Sequence, residues 1–160
     1  MCDLSWLPPL LKLNDVGGDV HRYYDLLYKY YLEDLVFNPP EFEGYQVETI
    51  SNPMKDGKEN GFWHILEGGN EQYLNDSLDR HERIRWIKPL IESVGTDKTL
   101  SWKRPVKPSI TKPHIALIDF SYIVVLRQHR FVQLVTAFPV ERERRRDDLR
   151  KEYEMYQEHL

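Results

Sequence analysis

The sequence has a single cysteine, Cys2, among 160 residues, so it cannot form an internal disulfide. It has no CxxC or HExxH pattern, and local spacing therefore gives no support for a zinc site. It also has neither a P-loop nor the GxGxxG fingerprint of dinucleotide-binding proteins. We therefore expect no metal ion and no cofactor. The scarcity of cysteine favours a reducing, cytoplasmic compartment.

Long apolar runs are also missing, so we expect no membrane-spanning helix and no membrane partner. Residues 1–13 have neither a basic stretch nor a small-residue cleavage site, and we expect no signal peptide. The chain is 41% hydrophobic and 30% charged, which is typical of a soluble globular protein with one core. Two pairs of helix breakers, Pro8-Pro9 and Gly17-Gly18, predict an irregular arm over 1–18, followed by a single domain over 19–160.

The net charge of −4 is unevenly distributed. Residues 1–50 carry nine acidic and three basic side chains, whereas the remainder is slightly basic. Residues 98–118 contain five basic side chains and no acidic one. A basic surface on an acidic protein is compatible with phosphate binding, and a solvated lysine-rich loop is the alternative.

Hydrophobic periodicity and breakers predict alternating helices and hairpins. Asp19 is a candidate N-cap for the first helix, whose six tyrosines and phenylalanines suit packing on a sheet or, alternatively, stacking with bases. Pro89 should kink or split the second helix. This order predicts an α+β domain with an antiparallel sheet of at least four strands. The predicted elements are a helix over 20–37, strands over 45–50 and 62–66, a helix over 75–94, a loop over 95–113, strands over 114–126 and 131–138, and a helix over 141–160.

His64 is the candidate acid or base. Histidine suits either role because its free pKa is near neutrality. Strand alternation places His64 on one face with Phe62 and Leu66. A structural histidine at a strand edge is the alternative.

Two arginines of the second helix are candidates for binding phosphate. Ile84 and Ile87 define its core face. Arg80 falls on that face and Arg83 at its edge, whereas His81 falls on the opposite flank. An arginine that faces a core needs an anion, which is either an internal carboxylate or a ligand phosphate.

Other candidate residues give weaker signals. Thr136 is predicted to share a strand face with Val132, Leu134 and Phe138, and its hydroxyl could hold a phosphate oxygen or simply suit a strand. Tyr153 of the last helix could face the sheet or serve only in packing. The loop cations that could hold an RNA backbone are Lys103, Arg104 and Lys112.

Segments 61–65, 79–86, 122–126, 134–138 and 149–153 together resemble the phage-associated branch of the barnase–EndoU–colicin–RelE ribonuclease superfamily. The resemblance covers about residues 60–156. It implies helices packed on a curved antiparallel sheet and metal-independent RNA cleavage that leaves a cyclic phosphate. By position, His64 matches the strand histidine, Arg80 and Arg83 the helix arginines, and Thr136 the hydroxyl of the last strand.

These observations predict a cytoplasmic endoribonuclease that is a toxin or phage-related effector and acts on tRNA or mRNA. RNA and an antitoxin or immunity protein are the expected partners. The alternatives are a non-catalytic RNA- or protein-binding module of the same fold, and an accessory protein that uses its last helix as an interaction arm.

Overall fold

The computed structural model describes residues 3–68 and 74–157, so Cys2 lies outside the described residues. The described chain is an α+β fold. Its α-helices are α1 Val20–Tyr31, α2 Asn60–Glu67, α3 Leu74–Glu82, α4 Ile87–Glu92 and α5 Glu143–Gln157. Its strands are β1 Glu41–Phe42, β2 Tyr45–Glu48, β3 Thr99–Lys107, β4 Ile110–Leu117, β5 Tyr122–Gln128 and β6 Val132–Pro139. Leu13–Val16 and Ile84–Trp86 are short 3-10 helices, and Leu32–Phe37 is π-helical.

The first helix begins where its predicted cap places it. The Asp19 carboxylate accepts hydrogen bonds from the backbone amides of His21 and Arg22, at 3.0 and 3.2 Å. These bonds satisfy two amides that have no partner within the helix. The π-helical segment follows α1 directly, and the helix predicted over 20–37 is therefore confirmed.

The N-terminal arm packs on the core. Leu7 is buried, and the Trp86 indole donates a hydrogen bond to the Pro8 carbonyl at 2.9 Å. The Tyr23 hydroxyl donates to the Leu11 carbonyl. Most of the described arm is irregular, and these contacts fix it against α1 and the segment that follows α3.

The strands form one mixed sheet in the order β1-β2-β6-β5-β4-β3. Strands β3 to β6 pair antiparallel, which confirms an antiparallel arrangement of at least four strands, although β3 is not among the predicted strands. Strand β2 instead runs parallel to β6, with Val47 opposite Val132 and Glu48 opposite Gln133. The sheet curls into a half-barrel.

Residues 62–66 lie in α2, so the strand and hairpin predicted for them are wrong. Phe62, Ile65 and Leu66 are buried, and their i, i+3, i+4 spacing places them on one face of a helix. A short apolar run does not distinguish a helix from a strand, and here tertiary packing decides in favour of the helix. Gly68 ends α2 in the left-handed region, with its amide donating to the His64 carbonyl at 2.7 Å.

The loop predicted over 95–113 is also wrong, because β3 and the first half of β4 run through it. Pro105 lies on the edge strand β3, beside a register irregularity, where a missing amide is tolerated. Pro113 lies on β4 opposite Lys103 of β3 and has no paired residue on β5. The prolines therefore occupy positions where they cost few hydrogen bonds.

The strand predicted over 114–126 is divided between β4 and β5 by a tight turn. Phe120 has a φ of 61°, and its amide donates to the Leu117 carbonyl at 2.8 Å. The Asp119 carboxylate accepts hydrogen bonds from the backbone amide and hydroxyl of Ser121. The hairpin predicted with the following strand is confirmed as β5–β6.

The helix predicted over 75–94 breaks at Arg83 rather than after Lys88. Pro89 lies in the first turn of α4, where the backbone amide has no partner to lose. The helix start at Leu74 follows residues outside the described part of the chain.

Each face of the sheet has its own apolar core. The larger core contains side chains from α1, α2, α4 and one sheet face. The smaller core lies under α5, where Leu149 is buried and Tyr153 and Tyr156 are partly buried. The predicted C-terminal helix is therefore confirmed over Glu143–Gln157.

Candidate functional site

The candidate site lies where β2 ends, beyond which this edge of β6 has no strand partner among the described residues. Strand β2 pairs with β6 only at Val132 and Gln133. Helices α2 and α3 contact β6 as well. An edge without a strand partner presents unpaired backbone amides and carbonyls. A side chain that forms hydrogen bonds with these groups therefore stabilises the fold. Arg80 of α3 does so.

Arg80 connects the end of α2 to β6. Its Nη1 lies 3.4 Å from the Ile65 carbonyl oxygen and 3.5 Å from both Thr136 Oγ1 and the Ala137 carbonyl oxygen. Its guanidinium carbon lies 5.4 Å from the centre of the Phe138 ring. Carbonyls in the last turn of a helix have no partner within the helix, and a cation is favoured there. This arrangement places a positive charge beside the Thr136 hydroxyl.

Gly68 makes this approach possible. It has a φ of +63°, and a Cβ at this position would lie only 2.5 Å from the Arg80 guanidinium carbon. The same Cβ would lie 2.6 Å from both terminal nitrogens of Arg80. A larger residue at position 68 would therefore displace the guanidinium from the end of α2.

We expect Gly68→Ala to lower the free energy of unfolding by the ~1 kcal/mol that a left-handed backbone costs an alanine, plus the small cost of moving the flexible end of Arg80 off its carbonyl partners. The added methyl group must also displace Arg80. Urea unfolding measures the loss. Gly17→Ala is the matched control, because Gly17 has a φ of +70° and no atom within 4 Å of its added Cβ. Equal losses in the two variants would contradict the close contact with Arg80.

His64 lies on α2, immediately before Ile65, and is half-buried. Burial, together with the nearby positive charge of Arg80, lowers its pKa below the ordinary 6.5. The imidazole is therefore mostly neutral at neutral pH and able to accept a proton. This protonation state suits a general base.

Thr136 follows a bulge in β6. Val125 of β5 pairs with Thr136, and the next residue of β5 pairs with Leu134, so Val135 is an extra residue. Leu134 belongs to the larger core, whereas Phe138 packs on the α5 side. The single face predicted for β6 is therefore wrong, and alternation places Thr136 on the face of Phe138.

A cleft of about 340 Å³ opens beside Arg80. Asp79 and Arg80 of α3 line one part, and Glu141, Arg142 and Arg145 line another. Three guanidinium groups and two carboxylates thus surround the cleft. Its size is at the lower end of ligand sites in proteins.

Sequence reasoning missed Arg142 and Arg145. The available signal was the arginine-rich run over 142–146, which begins soon after Pro139 ends β6. Because Thr136 lies on the same strand, this run begins close to Thr136 along the chain.

Arg83 has an internal partner and does not line this cleft. Its Nη1 donates to the Asp79 carbonyl at 3.0 Å and lies 3.8 Å from the Asp79 carboxylate. Its guanidinium also lies 5.1 Å from the centre of the Trp86 ring. Of the two alternatives for this arginine, an internal carboxylate is the one that the contacts favour.

The cations predicted to bind substrate are on β3 and β4, and none of them lines the cleft beside Arg80. Lys103 lies 2.6 Å from the Glu43 carboxylate. Arg104 lies 3.5 Å from the Glu152 carboxylate, and Lys112 is its cross-strand neighbour. These three cations therefore lie outside the cleft, as do His64 and Thr136, and Arg80 is the predicted catalytic residue that lines it.

Tyr153 packs on the smaller core. Its ring makes edge contacts with Trp102 and Phe120, at centroid distances of 5.9 and 6.1 Å. It faces the sheet from α5, one of the two placements open to it in the sequence. These contacts are those of a packing residue.

Over residues 3–68 and 74–157, no group of three or more His, Cys, Asp or Glu side chains is arranged to hold a metal ion. Among the helices of that part of the chain, none has the length and apolarity needed to cross a membrane. No protein-family model matches the chain, and no curated protein or solved structure is significantly similar to it.

Proposed function

We propose that this protein is a metal-independent endoribonuclease whose reaction takes place at His64, Arg80 and Thr136. The observation that supports this best is the position of Arg80, which contacts Thr136 of β6 and the last turn of α2, the helix that carries His64. Arg80 Nη1 lies 3.5 Å from Thr136 Oγ1, and its charge is close enough to lower the pKa of His64. Phosphodiester transesterification is catalysed by a base that takes the 2′-hydroxyl proton and by cations and hydrogen-bond donors that stabilise the phosphorane, and these three residues can supply such groups.

In the proposed reaction, neutral His64 takes the proton of a ribose 2′-hydroxyl, and the 2′-oxygen attacks the adjacent phosphorus. The bond from phosphorus to the 5′-oxygen breaks, and that oxygen takes a proton from water. The products carry a 2′,3′-cyclic phosphate and a 5′-hydroxyl. Arg80 stabilises the negative charge of the phosphorane, and the Thr136 hydroxyl donates to a phosphate oxygen.

The arginines at the mouth of the cleft support an RNA substrate, because Arg142 and Arg145 add positive charge for its backbone. The resemblance to the barnase–EndoU–colicin–RelE superfamily supports the same chemistry. It extends the proposal to a cytoplasmic toxin or phage-related effector that acts on tRNA or mRNA and has an antitoxin or immunity protein as its partner.

The test is cleavage of total RNA by the purified full chain in EDTA. We expect discrete fragments that end in a 2′,3′-cyclic phosphate, identified by mass spectrometry. An oligonucleotide with hydrogen in place of the 2′-hydroxyl at the cleavage position is the control, and it should remain intact. Cleavage of that oligonucleotide, or cleavage only with added Mg²⁺, would contradict the mechanism.

A non-catalytic binding module of the same fold is the second candidate. It is favoured by the ion pair between Arg83 and Asp79 and by the bonds from Arg80 to backbone carbonyls, since both arginines then have structural roles. This candidate predicts RNA or protein binding without any fragment in the same assay.

A further inference from the structure

A second groove, here called the distal groove, lies at the other end of β6 from the cleft beside Arg80. It is formed by the start of β2, the β3–β4 turn and the β5–β6 turn, and its volume is about 320 Å³. Val132 lines the distal groove, whereas Pro139 lines the cleft. The seven strand steps between them span roughly 23 Å. The two sites are therefore separate.

Two aromatic rings line the distal groove and remain open to solvent. Tyr45 is 54% exposed and Phe131 is 50% exposed. They precede the paired residues Val47 and Val132 on neighbouring strands, so the parallel register brings them to the same end of the sheet. Exposed rings in a concave surface are the groups on which unpaired bases stack.

The charges that line the distal groove complement a phosphate backbone. Lys103 and Arg130 line it together with His129, and no carboxylate of the described residues does. Glu43 lies in the turn between β1 and β2. It accepts hydrogen bonds from the Lys103 ammonium group at 2.6 Å and from the Gln128 amide at 2.8 Å. These bonds hold Lys103 and Gln128 in place across three elements of the sheet.

We propose that the distal groove binds unpaired nucleotides of single-stranded RNA. Bases stack on Tyr45 and Phe131, and Arg130 and Lys103 bind the flanking phosphates. The choice of RNA over single-stranded DNA rests on the proposed function. The distal groove and the cleft lie roughly 23 Å apart along β6, a distance that an unpaired strand of several nucleotides can span.

The test is fluorescence anisotropy with a labelled 2′-O-methyl oligouridylate of about twelve nucleotides, which has no 2′-hydroxyl to react. We expect Tyr45→Ala and Phe131→Ala each to weaken binding roughly 10-fold or more, since each removes a stacking ring. Arg130→Ala should weaken binding and reduce its salt dependence. Phe37→Ala is the matched control, because Phe37 is 67% exposed and does not line the distal groove.

If Tyr45→Ala and Phe131→Ala both bind the oligouridylate as tightly as the wild-type protein does, the proposal is overturned. This holds even if a protein partner uses the same residues. Equal binding of a fully paired RNA hairpin would overturn it as well. Failure of the proposed function is a separate result. It would appear as aromatic-dependent binding of the oligouridylate by a wild-type protein that cleaves no RNA.

Discussion

We expect the His64→Ala and Arg80→Ala variants to cleave RNA at least about 100-fold more slowly than the wild-type protein. The first change removes the proposed base. The second removes the cation that lies 3.5 Å from the Thr136 hydroxyl. Single-turnover cleavage of a labelled RNA in EDTA measures both losses. The expectation rests on the proposed ribonuclease activity.

Controls separate these losses from general damage to the protein. His21 and Arg22 are exposed residues of α1, so His21→Ala and Arg22→Ala should retain wild-type activity. Arg80→Lys keeps a positive charge at the end of α2 but lacks the planar fork that matches a phosphate. A folded Arg80→Lys variant with full activity would contradict the proposed phosphate contact.

Arg83→Ala decides which arginine acts on the phosphate. We expect it to lose less activity than Arg80→Ala, because Arg83 bonds to Asp79 and does not line the cleft. The opposite order would assign the phosphate to Arg83.

The second large effect concerns stability in acid and is independent of the function. As the pH falls from 6.5 to about 4, we expect the titration of His81 alone to lower the free energy of unfolding by about 3 kcal/mol. His81 is 6% exposed and makes edge contacts with the rings of Tyr23 and Tyr24. Burial, followed by the charge of Arg80, lowers its pKa to about 4.

The direction follows from proton binding. Between pH 6.5 and about pH 4 the unfolded chain holds a proton on His81 and the native protein does not, so stability falls as the pH falls. Above pH 6.5 His81 is mostly neutral in both the unfolded chain and the native protein. It then no longer contributes to the pH dependence of stability. Urea unfolding at a series of pH values measures the slope.

His81→Leu should flatten this pH dependence, whereas His21→Leu should leave it unchanged, because His21 is exposed. A residual slope is expected from His64 and His114, whose pKa values are also lowered by burial. An identical slope in wild type and His81→Leu would show that His81 titrates normally in the native protein.

Local signals in the sequence were sufficient for several elements. Asp19 accepts hydrogen bonds from amides two and three residues later, so the start of α1 depends only on neighbouring residues. The β5–β6 hairpin and α5 are likewise predicted by nearby periodicity and breakers. The α+β class follows from their order.

The assignments that failed depend on distant partners. Residues 62–66 alternate like a strand, but they pack as a helix between α1 and the sheet. Pro105 is compatible with a strand only because β3 is at the edge of the sheet. Helical spacing places His81 on the flank opposite the core face. In the structure, Tyr23 and Tyr24 of α1 pack against that flank, and His81 is buried.

The α+β class and the capped first helix could be predicted from the sequence alone, as could the residue types available for acid–base and phosphate chemistry. The contact of Arg80, rather than Arg83, with Thr136 beside α2 is apparent only from the tertiary structure. Caps and apolar periodicity act between residues a few positions apart, and they can be read directly. The Arg80 contact joins residues 56 positions apart, and it depends on where β2 ends, on the bulge in β6 and on the space that Gly68 leaves.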